Sequence, residues 1–236
     1  MNKNIIIKAE NVAVQYSIFR RFFATKSKMA LKDVSFSLYK GESLGVIGRN
    51  GAGKSTLLKL LAGVISPDKG QIIHDNVSVS LLSLQVGFDG ELSGYDNIYL
   101  SALLLGFKKN QVDAILDNII QFSELEDSIH QAVKTYSTGM RARLGFSIAY
   151  QLEPDVLLID ETLGVGDIEF KEKSIAAMKE RIRSDQTVIL VSHHGPTIKN
   201  LCKRAVWIED GVTRMEGPSG EVVGEYEKFM LTNNKR

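Results

Sequence analysis

Cysteine is nearly absent: Cys202 is the single one in 236 residues. With no second thiol in the chain, an internal disulfide is excluded, which fits a reducing compartment and a buried or incidental thiol. An excess of either charge is missing too, since 29 Lys and Arg stand against 28 Asp and Glu, a formal net charge of +1. No general field draws nucleic acid or acidic lipid, and a nucleic-acid partner is not expected. Long apolar runs are lacking as well. The longest, Ile98 to Phe107, is about half the length a bilayer-crossing helix needs. The opening MNKNIIIKAEN carries no apolar segment of signal-peptide length and no cleavage-like site. The expectation is a chain that is neither exported nor membrane-spanning by itself. No internal repeat or low-complexity tract appears.

What is present points to one large α/β domain with a small insert, and a hydrophobic fraction of 44% suits a packed core. The densest signal is GRNGAGKST, Gly48 to Thr56, a full match to the phosphate-loop pattern G-x-x-x-x-G-K-[ST]. Before it, ESLGVI reads as a short buried strand; after it, TLLKLLAGV reads as a helix. Gly48, Gly51 and Gly53 allow conformations that a Cβ forbids, so successive N–H groups can turn inward around an anion. Asn50, in the same loop, is a further candidate to contact the nucleotide. Lys54 is placed to reach the β- and γ-phosphates, and Ser55, followed by Thr56, offers a hydroxyl ligand for Mg²⁺. The competing reading is a flexible glycine turn before an amphipathic helix.

Ile5 to Tyr16 and Val34 to Glu42 alternate like antiparallel strands leading into the loop. Between them, Ser17 to Ala30 mixes three phenylalanines with Arg20, Arg21, Lys26 and Lys28. It reads equally as a basic amphipathic element meeting a membrane or partner and as a long hairpin connection. Tyr16 is a candidate to stack on adenine, or simply a packed aromatic at a strand end. After the turn SPDKG come one or two strands, then a glycine-rich loop beyond Gln85. From Ile98 to about Val133 the apolar period is helical, with Ile115, Leu116, Ile119 and Ile120 on one face. This is a helical insert between two parts of one sheet.

Ser137 and Thr138 are good cap residues before a helix that ends near Pro154. PDVLLIDE follows as a continuous apolar strand of the central, parallel kind. It delivers Asp160 and Glu161 to the carboxyl edge of the sheet, where ligands bind in open α/β folds. Asp160 fits a residue holding Mg²⁺ through water, and Glu161 a general base for an attacking water; the competing reading is a pair of acids at a solvated turn. QTVILVSHH is another apolar strand, ending at His193, which is placed either to hydrogen-bond a γ-phosphate or to cap structure. Ala205 to Gly217 reads as a hairpin turning at Asp210-Gly211, and a last helix follows.

Taken in order, GRNGAGKST, Gln85, YSTGM, VLLIDE, Asp167 and His193 resemble the nucleotide-binding subunit of an ATP-binding cassette transporter, nearly end to end. The resemblance implies a P-loop NTPase (RecA-like) core with an antiparallel β subdomain and an inserted helical subdomain. It places 1–94 and 152–236 in the first two and 95–151 in the insert. It implies ATP and Mg²⁺ as ligands, with Gln85 joining Ser55 and Asp160 at the metal. Ser137, Thr138, Gly139 and Met140 take the place of the signature sequence, and Asp167 that of the inter-subunit aspartate. Two copies would then sandwich two ATP molecules head to tail, each signature helix facing the other copy's γ-phosphate. Integral-membrane permease subunits are the implied partners, at the cytoplasmic face of the inner membrane.

Thr138 stands where a second glycine is common, Met140 where glutamine is common, and TLGVGD after Glu161 lacks the usual proline. Together with VGFDGELSGYDNIYL and GEVVGEYEKF, these departures are similar to the subgroup exporting O-antigen, capsular polysaccharide or teichoic-acid-type polymers. Some of that subgroup append a carbohydrate-binding domain; a compact form without one is expected here. The alternatives are an ATPase for a small solute or a lipid, and a soluble ATP-dependent clamp on nucleic acid.

Overall fold

The computed structural model describes residues 4–18, 26–82, 87–160 and 164–233. In chain order its elements begin with β1 (Ile5–Ile18), β2 (Lys26–Tyr39), β3 (Ser43–Ile47), α1 (Lys54–Leu61), β4 (Lys69–His74) and β5 (Val79–Leu81). There follow α2 (Gly94–Leu104), α3 (Lys109–Asp113), α4 (Leu116–Ser123) and α5 (Thr138–Gln151). The last are β6 (Val156–Asp160), α6 (Ile168–Arg183), β7 (Thr187–Ser192), α7 (Gly195–Leu201), β8 (Arg204–Glu209), β9 (Val212–Pro218) and α8 (Ser219–Asn233). They fall into two compact units, one of Met1–Leu81, Asp155–Glu161 and Arg181–Arg236, the other of Leu82–Pro154 and Thr162–Glu180.

The first unit holds a nine-stranded sheet in the order β4-β1-β2-β9-β8-β3-β7-β6-β5. From β8 to β5 the neighbours run parallel, and β1 pairs antiparallel with both β2 and β4. The parallel strands β3 and β7 are buried along their whole length, and β6 up to Asp160. Such strands are covered on both faces, which is why SLGVI, VLLI and TVILVS read as nearly unbroken apolar runs. Leu57, Leu58, Leu60 and Leu61 of α1 pack into the same core. That burial joins the helix behind the phosphate loop to the strand in front of it. Cys202 is buried, and burial pushes its thiol up to about 12, so it is inert as a nucleophile at neutral pH.

Two features of this unit bear on the expectations. Asp210 and Gly211 turn the β8–β9 hairpin with positive φ at both positions, 51° and 78°, the backbone a tight two-residue turn requires. Strand β2 starts at Lys26 instead of Val34, because Lys28 and Met29 continue the ladder opposite Tyr16 and Gln15. These exposed residues lack an apolar alternation, so only the backbone pairing reveals the strand. The connection is thus shorter than Ser17 to Ala30. The three phenylalanines of that segment, Phe19, Phe22 and Phe23, which read equally as a membrane or partner element and as part of a hairpin connection, lie outside the described residues.

The second unit is helical and takes in more chain than the 95–151 that the sequence outlines. Its core gathers Ile98 and Ala102 of α2, Val112 of α3, Ile119 of α4, and Leu144 and Ile148 of α5. Ser93 caps α2 by accepting from the Asp96 N–H at 3.0 Å. Among the described residues no helix is long and apolar enough to cross a membrane.

Candidate nucleotide site

Within the first unit, parallel register brings three strand ends together. Ile47 of β3 lies opposite Ser192 of β7, and Val191 of β7 lies opposite Asp160 of β6. The phosphate loop leaves β3 at this edge, Asp160 ends β6 there, and His193 follows β7. Gly48 is packed so closely that a Cβ would sit 2.1 Å from the Ile208 carbonyl oxygen. Gly53, at φ 106°, would meet the Ala30 carbonyl oxygen at 2.5 Å, while Gly51, at φ 85°, has open space. The first two glycines are therefore required by approach, the third by backbone angle. A Gly48→Ala substitution is expected to destabilise the protein by about 1–3 kcal/mol through overpacking. An unchanged urea midpoint would rule out that close packing.

Gly53 caps α1 without any side-chain hydrogen bond, and no acidic residue occupies the first turn. The opening N–H groups and the helix dipole are thus left facing the loop. Lys54 is buried, its Nζ donating to the carbonyl oxygens of Gly48 at 2.8 Å and Arg49 at 3.0 Å. The ammonium is held at the centre of the loop. Ser55 Oγ donates to Asp160 Oδ2 at 3.3 Å, so a hydroxyl and a carboxylate from opposite sides of the edge converge. That oxygen pair, beside a loop built for an anion, fits Mg²⁺ with a triphosphate. Asn50 and Gly51 are exposed at the tip, and Thr56 is half-buried in the first turn of α1.

Sequence reasoning missed what fixes this loop from behind. Glu209, at the end of β8, is 1% exposed and accepts from Arg49 Nε at 2.5 Å and, more weakly, from Trp207 Nε1 at 3.4 Å. The Arg49 guanidinium also stands 5.5 Å from the centre of the Phe229 ring on α8. Gly211 N–H donates to the Ala52 carbonyl at 3.2 Å. The β8–β9 turn thus forms the floor of the loop. Arg49 occupies an unspecified position of the motif, so nothing in the pattern marks it.

His193 is exposed just past β7. Its neighbour His194 is committed locally, its N–H donating to Ser192 Oγ at 3.0 Å and its Nδ1 lying 2.8 Å from Thr197 Oγ1. Tyr16 is 39% exposed and faces Lys28 across the β1–β2 ladder. Gln85 and Glu161 lie outside the described residues.

The second unit assembles the other group of named residues. Ser137 caps α5, its Oγ accepting from the Met140 N–H at 3.1 Å. Ser137, Gly139, Met140 and Asp167 line one cleft of about 340 Å³, with Arg143 and Glu124 in its wall. Asp167 caps the start of α6, Oδ1 accepting from the Phe170 N–H at 3.1 Å. Its carboxyl is held below the usual carboxylate range, chiefly by a hydrogen bond from Arg143.

A phosphate loop at the carboxyl edge of a parallel sheet, with a buried lysine and a serine–aspartate pair, defines an α/β protein of the P-loop NTPase class. Residues 31–164 match the family described as ABC transporter. The chain is 39% identical, over all of its length and 74% of the relative's, to the teichoic acids export ATP-binding protein TagH of Listeria monocytogenes serotype 4b (strain F2365). It is 45% identical, over 86% of its length and 82% of the relative's, to the O-antigen export system ATP-binding protein RfbB of Klebsiella pneumoniae. In fold it is similar to the dimeric structure of a bacterial ABC transporter cassette, at TM-score 0.70 and 21% identity, covering 91% of this chain and 99% of that one. The chain belongs to the ABC transporter family.

Proposed function

We propose that this chain is the ATP-hydrolysing subunit of an exporter that moves a polysaccharide or polyol-phosphate polymer across the cytoplasmic membrane through a separate permease. The observation carrying the chemistry is the meeting of Ser55 Oγ and Asp160 Oδ2 beside the Lys54-centred loop. The class of cargo follows from relatives named for teichoic acid and O-antigen export. In this reading the chain is a single cassette of core, β subdomain and helical signature subdomain, peripheral at the inner membrane face and docked on the permease.

Lys54 and the loop N–H groups bind the β- and γ-phosphates, Gly48, Asn50, Gly51, Gly53 and Thr56 shape the loop, and Tyr16 stacks on adenine. Ser55, Asp160 and Gln85 would hold Mg²⁺, which when bound neutralises charge on the phosphoryl oxygens. Glu161 takes the proton of the attacking water as its oxygen bonds to the γ-phosphorus, and ADP departs with the bridging oxygen. His193 orients that water or the γ-phosphate. Ser137, Gly139 and Asp167 serve the ATP held by a second copy, so two chains complete two sites and exclude water on closing.

Purification of the tagged chain from membranes, with mass spectrometry of its companions, tests the reading. A permease carrying a lipid-linked glycan or polyol phosphate is expected. A nutrient solute or a glycan-free lipid overturns the polymer assignment, and salt-sensitive nucleic-acid binding overturns transport.

A further inference from the structure

In the helical unit one guanidinium ties three helix ends together. Arg143, in the second turn of α5 and with a side chain only 18% exposed, donates through Nη1 to Glu124 Oε2 at 2.8 Å. Through Nη2 it donates to Asp167 Oδ2. Glu124 terminates α4 in the left-handed region, at φ 56°, and its other oxygen accepts from Lys173 Nζ at 2.6 Å. Lys173 also donates to the Phe122 carbonyl at 2.9 Å. Beneath the charges lies an aromatic bed: the Arg143 guanidinium is 5.2 Å from the centre of Phe170, which meets Phe122 and Phe146 edge-on at 5.9 and 6.0 Å.

The consequence concerns the cleft. Ser137 and Gly139 at the start of α5, and Asp167 at the start of α6, reach it from separate stretches of chain. Among the described residues, Arg143 bonds one stretch to the other. We propose that Arg143 is a positioning residue for the two-chain site: it sets the distance between the α5 N-terminus and Asp167 so that both meet a second copy's nucleotide together. This rests on the head-to-tail reading above. A planar fork bridges two carboxylates at once, whereas a lysine ammonium at the end of a flexible stem keeps the charge without fixing the angle. Charge alone therefore does not substitute for it.

The test uses the full chain in a Glu161→Gln background. Arg143→Lys and Arg143→Gln are expected to bind ATP within about twofold of that parent, since the phosphate loop belongs to the other unit. Their Mg-ATP-dependent dimer, measured by sedimentation, is expected to be about tenfold weaker or more, the scale of one lost hydrogen bond between charged groups. With Glu161 restored, kcat falls about as far while KM holds. Glu124→Gln, which weakens one arm, gives a smaller loss and keeps the question open to test should Arg143→Gln fail to fold. Dimerisation of Arg143→Lys as tight as the parent's, with only a lower melting temperature, makes Arg143 a structural anchor and overturns the proposal. A parent that stays monomeric in Mg-ATP overturns the head-to-tail reading instead, and this inference with it.

Discussion

Replacing Glu161 by glutamine is expected to leave ATP binding intact and to cut turnover by about 10²- to 10⁴-fold, the range removed with a general base. Binding should survive because, in the proposed reading, the anion contacts come from a different stretch, the Lys54 ammonium and the N–H groups at the start of α1. Glutamine keeps the size and one hydrogen-bonding oxygen of the glutamate but cannot accept the proton that water must lose. Chemistry and occupancy should therefore separate cleanly. Equilibrium binding of ATP beside steady-state phosphate release measures both, and near-normal release in the variant removes Glu161 from the role. The same substitution traps the loaded state, which makes it the background in which dimerisation is read.

The phosphate loop was legible because its pattern is local and the flanks agree with it: an apolar strand before, a leucine-rich helix after. The Asp210-Gly211 turn and the Ser137 cap are local in the same sense, each fixed by the backbone preferences of one or two residues. Long-range pairings were not legible. Arg49 and Glu209 lie 160 positions apart, and no periodicity in either stretch announces that one carboxylate will be buried to hold the other's guanidinium. The Arg143–Asp167 link has the same character at 24 positions. Helix α6 lies between the motifs and is not read from the sequence at all; Phe170 meeting Phe146 and Phe122 edge-on ties it to the helical unit, which takes the chain as far as Glu180. Strand β5 is too short to be placed by pattern, and only its pairing with β6 fixes it at the sheet edge.

Lys54→Ala makes the complementary loss. Removing the ammonium that bridges the Gly48 and Arg49 carbonyls is expected to weaken ATP binding by about 10- to 10²-fold, since hydrogen bonds to charged groups contribute about 1.5–3 kcal/mol each. The apo fold should change far less, because the core under α1 is carried by Leu57, Leu58, Leu60 and Leu61. Ligand-induced stabilisation then becomes the sensitive readout. ATP at about a hundred times its dissociation constant adds about 2.7 kcal/mol to a protein that binds it only when folded, and a hundredfold weaker site keeps about 0.4 kcal/mol of that. Melting curves with and without Mg-ATP should thus show a clear shift for the parent and a shift reduced to about half or less for the variant, at similar apo midpoints. Lys54→Arg preserves the charge, but a longer planar head does not seat between two carbonyls already 2.8 and 3.0 Å from the ammonium nitrogen, so it should not restore the shift. Equal ATP shifts in parent and Lys54→Ala would mean that triphosphate binds elsewhere and that the loop is only a turn.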